Sequence, residues 1–252
     1  MDKQIKAYLR RIGYEGGMGA TRETLAAVLD CHIRCVPYEN LDILAGVPLR
    51  LDWNSLFDKI VVRRRGGFCF ELNAALGMLL RGLGFDVTDC FARYLQGAEG
   101  IPMRRHQVLM VRLDGEKLLC DAGVGNEAPR RPLVLCEGVA QADGMSDYCF
   151  EQDSYLGWVL CRKHGEEWQK QYAFTEEAQI PADFAAATFY CEKHPESIFN
   201  KERMIAIKTP TGRRTVDGDV FKVFDADEVT VETIGTDAEM CEVLRTHFGI
   251  EV

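Results

Sequence analysis

The chain has 252 residues, 47% of them hydrophobic and 27% charged, with a formal net charge of −9. That length holds one large domain or two to three small ones, and no stretch approaches the roughly 18 consecutive apolar residues of a membrane span. The acidic balance argues against nucleic acid as a partner, since the basic residues form only short, scattered groups at Arg63 to Arg65, Arg104-Arg105, Arg130-Arg131 and Arg213-Arg214.

The first eleven residues scatter charges at Asp2, Lys3, Lys6, Arg10 and Arg11 instead of setting a basic cluster before an apolar run. They do not read as a signal peptide, and the expected location is the cytoplasm. The ten cysteines are accordingly expected as reduced thiols, most of them small core residues. None sits at C-x-x-C spacing, and Cys31 and Cys35, with only His32 beside them, fall short of the four ligands of a structural zinc site. No metal is expected.

The first third reads as helical. Thr21 is a good N-cap for a helix whose Leu25, Val28, Leu29 and Ile33 recur at helical spacing, and Pro37 ends it. A second helix starts near Cys69, buries Leu72, Leu76, Leu79, Leu80 and Leu83, and closes at Gly84. The period then changes to strands at 87–95, 107–113, 117–121, 148–150 and 158–162, with Asp114-Gly115 as a hairpin turn between the second and third. A helix over 182–193, strands at 203–208 and 220–224, and a final helix over 238–248 ending at Gly249 complete the chain. Helices, then antiparallel strands, then a mixed tail make an α+β protein.

The most informative stretch is residues 65–73, RGGFCFELN, where two glycines permit a tight turn before a cysteine that opens a helix. The helix dipole favours thiolate there, but its 0.3 to 1 kcal/mol moves a pKa by less than about one unit. Cys69 therefore needs a histidine partner. Of the five histidines, His106 is best placed, at the head of the strand-like HQVLMVRL. Asp121 ends the next strand, KLLCD, and counting out from the Asp114-Gly115 turn puts it nearly opposite His106, where a carboxylate can fix the tautomer of the ring. His32, His164, His194 and His247 are read as structural or solvated. The run GVGNEA at 123–128 has the spacing of a dinucleotide fingerprint, but Pro129 and Pro132 interrupt the helix that should follow, so no Rossmann site is expected.

With those residues identified, the chain resembles the arylamine N-acetyltransferases nearly end to end: IGYEG at 12–16, VPYENLDIL at 36–44, RRRGGFCFELN at 63–73, HQVLMV at 106–111, DAGVG at 121–125, HPESIF at 194–199 and the closing FGI. The resemblance implies an N-terminal helical bundle over 1–85 carrying the nucleophile, a central antiparallel β-barrel over 86–180 carrying His106 and Asp121, and a connecting helix and α/β lid over 181–252. It implies a Cys-His-Asp site of the papain and transglutaminase type, and ping-pong acetyl transfer from acetyl-CoA through Cys69 to an arylamine, arylhydrazine or N-hydroxyarylamine. It places Tyr38, Phe70 and Val124 beside the acceptor, lets the backbone at Gly123 and Gly125 approach the CoA pyrophosphate, and pairs Glu39 with Arg65 under the cysteine loop. The family commonly has Asp-Val-Gly-Phe-Gly-Gly where this chain has DAGVGN, so Val124 replaces a ring and Asn126 a glycine.

The triad alone admits other acyl-cysteine chemistry: a thioesterase, an amidase, a transglutaminase-like enzyme or an amide-forming biosynthetic acyltransferase. A non-catalytic binder of aromatic amines or CoA would have no use for all three residues. The oligomeric state is left open.

Overall fold

The computed structural model describes residues 2–226 and 228–251. Five helices come first: α1 (Asp2–Arg11), α2 (Arg22–Cys35), the single turn α3 (Leu41–Leu44), α4 (Trp53–Phe57), which runs on as a π turn through Val62, and α5 (Cys69–Gly82). Thr21 caps α2 by accepting the Thr24 N–H at 3.2 Å, a contact worth about 1 kcal/mol. Helix α5 is the axis of this part. Leu72, Leu76, Leu79 and Leu80 are fully buried, and Gly82 sits so close to Ile5 of α1 that a Cβ would lie 2.3 Å from its Cδ1. Each buried leucine contributes roughly 1.5–3 kcal/mol.

An eight-stranded antiparallel sheet follows, in the order β5-β4-β3-β2-β9-β8-β7-β6. Its strands are β2 (Asp86–Tyr94), β3 (His106–Leu113), β4 (Glu116–Cys120), β5 (Leu133–Val134), β6 (Gln141–Ala142), β7 (Asp147–Asp153), β8 (Gly157–His164) and β9 (Glu167–Phe174). Asp114 and Gly115 both have positive φ, 53° and 81°, which makes the expected β3–β4 turn type I′. The sheet curls into a nearly closed barrel around Tyr148, Phe150, Leu160, Tyr172 and Phe174. A side chain bridges the seam between the end strands β5 and β6: Gln141 accepts the Val134 N–H at 2.7 Å and donates to the Val134 carbonyl at 2.8 Å, as a paired peptide would.

The remaining sheet has the order β1-β10-β11-β12-β13, with β10 (Met204–Lys208), β11 (Gly212–Asp217), β12 (Val220–Asp225) and β13 (Glu228–Thr233). Its edge strand β1 (Tyr38–Glu39) comes from the helical part of the chain. Helix α6 (Ala185–Lys193) leads into this sheet, and α7 (Asp237–Val243) packs on it before the chain ends in a π turn closed by Gly249 at φ 67°. Among the described residues no helix is long and apolar enough to cross a membrane, and no group of three or more His, Cys, Asp and Glu could hold a metal ion.

His32, on α2 beside Cys31 and Cys35, is a core residue: its ring is fully buried, stacked on Tyr8, with Nε2 2.9 Å from the Tyr8 hydroxyl. Burial, assisted by the charge of Arg11, lowers its pKa from 6.5 to about 3. The native state thus keeps the ring neutral where the unfolded chain protonates it. The contribution is complete above pH 6.5 and drains as pH falls, by about 2 kcal/mol between pH 7.5 and 5. Urea denaturation at the two pH values should show His32→Gln with a shallower pH dependence by that amount; parallel curves would remove His32 as the cause.

Candidate active site

Cys69 opens α5 and is 4% exposed. The turn that delivers it is fixed from both sides. On one side, Gly67 N–H donates to the Pro37 carbonyl at 3.2 Å and Glu39 N–H to the Gly67 carbonyl at 2.9 Å, so β1 runs along the turn. Only glycine fits at 66, where a Cβ would lie 2.0 Å from the Pro37 carbonyl oxygen. On the other side is buried charge. Lys59 Nζ lies 2.7 Å from Asp42 Oδ2 and 2.8 Å from Glu71 Oε1, while Arg65 lies 2.8 Å from Glu39 Oε1 and 3.1 Å from Asp42 Oδ1. Glu71 also accepts the Phe68 N–H at 2.9 Å, which caps α5 at the residue before Cys69. The Glu39–Arg65 pair is therefore one part of a larger network. Lys59, Asp42 and Glu71 carried no signal in sequence, because a lysine on an amphipathic stretch normally faces water.

His106 is the first residue of β3, and Asp121 follows β4. Leu109 pairs with Cys120, and continuing that register sets Asp121 opposite Val108 and His106 two residues farther along the same face. The two are diagonal neighbours, in keeping with the nearly opposite placement expected: His106 Nε2 is 2.8 Å from Asp121 Oδ2. The other carboxylate oxygen accepts from Asn73 Nδ2 at 2.9 Å and from the Gly123 N–H at 2.7 Å. Burial alone would raise the Asp121 carboxyl, but the His106 ring and these hydrogen bonds outweigh it and hold the group below the usual carboxylate range. An ionised Asp121 keeps the imidazole proton on Nε2 and leaves Nδ1 as an acceptor.

The sulfur lies against the backbone on both sides of His106. Cys69 Sγ is 3.9 Å from the Arg105 carbonyl oxygen, and the nearby backbone amides of Phe70 and Gln107 favour its thiolate form. Burial, followed by the proximity of Cys191 and Asp121, pushes the thiol well above its usual range, and the two N–H groups only temper this. The helix start does not free the sulfur by itself; loss of its proton would need a base in the same enclosure, and the His106 ring lines the same cavity. Asn73, one turn after Cys69, completes the frame by donating also to the Gln107 carbonyl at 2.6 Å and accepting the Ala122 N–H at 2.9 Å. One buried amide so ties α5 to β3 and to the loop after β4. Its i+4 spacing from Cys69 was the available signal, and composition gave no reason to use it.

Cys69 and His106 share a cavity of about 200 Å³ with Tyr38, Val124, Phe199 and Ala206, between the helices, the barrel and the C-terminal sheet. Tyr38, Gly123, Val124 and Gly125 all border it. Phe70 does not: its ring turns away from Cys69 around the helix and is fully buried against Phe68, Phe91 and Phe184. What Phe70 offers the site is its N–H. The glycines have an internal reason as well. A Cβ on Gly123 would lie 2.9 Å from the Cys69 carbonyl oxygen and 2.5 Å from Asn73 Nδ2, and Gly125 has φ 57° where the chain packs on Tyr38 and Ala206. The wall formed by Met204, Ile205 and Ala206 of β10 and Thr215 of β11 was missed in sequence, because only pairing of β1 with β10, and of β10 with β11, brings these strands to the cavity at Cys69.

A family profile described as N-acetyltransferase matches residues 21–252. The arylamine N-acetyltransferase of Mycobacterium tuberculosis (strain H37Rv) is 34% identical over 258 aligned residues, covering 100% of this chain and 91% of the relative. The solved structure of arylamine N-acetyltransferase from M. tuberculosis superposes with a TM-score of 0.92 over 98% of this chain and 93% of that one, at 34% identity. That of the Mycobacterium marinum enzyme in complex with CoA superposes with a TM-score of 0.91 at 30% identity, over 98% and 92% of the two chains. Sequence and fold agree over nearly the whole length, and the chain belongs to the arylamine N-acetyltransferase family, whose members are acyltransferases.

Proposed function

We propose that the protein transfers an acetyl group from acetyl-CoA, through a thioester on Cys69, to the nitrogen of an arylamine, arylhydrazine or N-hydroxyarylamine. The observation that carries this is the placement of Cys69 Sγ 3.9 Å from the carbonyl of Arg105, next to His106, which shares its cavity and whose Nε2 is held 2.8 Å from Asp121. In the first half-reaction the Cys69 proton moves to Nδ1 of His106 as sulfur attacks the thioester carbonyl; the carbon–sulfur bond to CoA breaks and the departing thiolate takes that proton. In the second, the amine attacks acetyl-Cys69, gives a proton to His106 and releases the thiol. Asp121 stays ionised throughout and stabilises the imidazolium. The cytoplasm is the compartment assigned to this chemistry, since it keeps such thiols reduced.

Intact-mass spectrometry of protein mixed with acetyl-CoA alone should show a gain of one acetyl group, mapped by peptide analysis to Cys69 and discharged by an arylamine. A protein that releases CoA equally fast with and without the amine would be a hydrolase instead.

Val124 gives the acceptor side its width. It lines the cavity where the family commonly carries phenylalanine, and the missing ring leaves room for larger amines. Val124→Phe should cut kcat/KM for a fused-ring amine such as 2-aminofluorene about tenfold relative to aniline. An unchanged ratio would show that the pocket is bounded elsewhere.

A further inference from the structure

Arg105 directly precedes His106 in the chain and carries its charge to the cavity beside Cys69. Its neighbour Arg104 reaches Glu177 at 3.3 Å. Arg105 lines the cavity with its guanidinium carbon 5.8 Å from the centre of the Phe199 ring, and among the described residues that guanidinium has neither a carboxylate within ion-pair distance nor a hydrogen bond. It leans inward: its charge is felt by the buried hydroxyl of Tyr38 and the buried thiol of Cys191. The other charged group bordering the cavity, Asp217, is exposed on β11, paired in register with Met204, and also edges an open groove outside. A cavity lined mainly by apolar surface thus holds an unpaired, half-buried guanidinium beside Cys69, an arrangement that favours an incoming anion.

Reach decides which anion. The Arg105 carbonyl oxygen is 3.9 Å from Cys69 Sγ, and an arginine side chain extends roughly 6 Å from its Cα. A group held by the guanidinium is therefore about one aromatic ring away from an acyl group on the sulfur. The phosphates of CoA lie at the far end of a long neutral arm when its thioester is at Cys69, too distant for this contact. We infer that Arg105 is a specificity-determining residue that binds a carboxylate on the acceptor, so that aminoaryl acids are preferred to uncharged arylamines. The inference rests on the acceptor entering this cavity to meet acetyl-Cys69.

The test compares kcat/KM for 4-aminophenylacetate with that for its methyl ester, a pair in which the methylene insulates the amine from the change in charge. The wild-type enzyme should favour the acid by about tenfold or more, Arg105→Gln should erase most of that preference through the KM for the acid, and Arg105→Lys should restore part of it. Indifference of the wild type between acid and ester overturns the inference whether or not any variant folds. So does an acid-to-ester ratio untouched in Arg105→Gln, and a raised KM for acetyl-CoA alongside that unchanged ratio would assign the guanidinium to the donor. Failure of the wild type to form acetyl-Cys69 from acetyl-CoA is a separate readout and sinks both the inference and the acyl-transfer reading.

Discussion

Asp121→Asn is expected to slow acetylation of Cys69 by roughly 10³- to 10⁴-fold while leaving the protein folded. The amide is nearly the same size as the carboxylate, and the contacts of the site dictate which way it turns. Two donors, Asn73 Nδ2 and the Gly123 N–H, point at Oδ1, so the amide oxygen goes there and the NH₂ faces His106. Nε2 must then accept a hydrogen bond, which puts the imidazole proton on Nδ1, and the ring no longer takes a proton from the thiol. Alkaline pH should not rescue the variant, because burial already pushes the Cys69 thiol well above its usual range. Single-turnover release of CoA, measured from pH 7 to 9, checks both parts; a loss under tenfold, or full recovery at pH 9, would contradict the assigned role of the carboxylate.

Cys69, His106 and Asp121, the residues proposed as nucleophile, base and orienting acid, could be picked out because each stands at a punctuation mark: a Gly-Gly turn before a helix, the head of a strand, the end of its hairpin partner. Their short separation along a type I′ hairpin made the geometry countable. Strands β9 and β11 were not readable for physical reasons. In β9 the half Glu167–Lys170 is exposed on both faces and the half Gln171–Phe174 buried on both, and the pairing with β8 slips between Leu160 and Cys161, so no period of two survives. In β11 the sequence GRRTVD carries three charged residues in six and offers only Val216 and Thr215 to burial beyond the glycine. Strand β13 is exposed at every residue and exists by pairing with β12 alone. The long-range construction of the site escaped for a related reason. That Tyr38 and Glu39 would join a sheet with Ala206 and Ile205 is a contact between distant parts of the chain, and neither segment's local pattern announces it.

The network under the nucleophile supplies the second large effect. Lys59→Met should destabilise the protein by about 3–5 kcal/mol, the usual consequence of removing one partner from a buried ion pair. Lys59 and Glu71 are only 5% and 3% exposed at the side chain. Burial alone would lower the lysine, but Glu71, Glu39 and Asp42 outweigh it and hold the ammonium charged. Without that cation, three carboxylates face Arg65 alone. Burial already raises the Glu71 carboxyl above its usual range, with Lys59 as the main counterweight. In the variant it rises further, so the native state binds a proton that the unfolded chain has released, and stability is lost as pH rises through that window. The deficit of Lys59→Met should therefore be largest at neutral pH and shrink towards pH 5 in urea denaturation. Adding Glu71→Gln should recover much of it, because the amide keeps an oxygen for the Phe68 N–H without burying a charge. A single variant that loses less than 1 kcal/mol, or a double variant no better than the single, would show that the cysteine loop is held by its backbone pairing with β1 and that the buried charges beneath it are incidental.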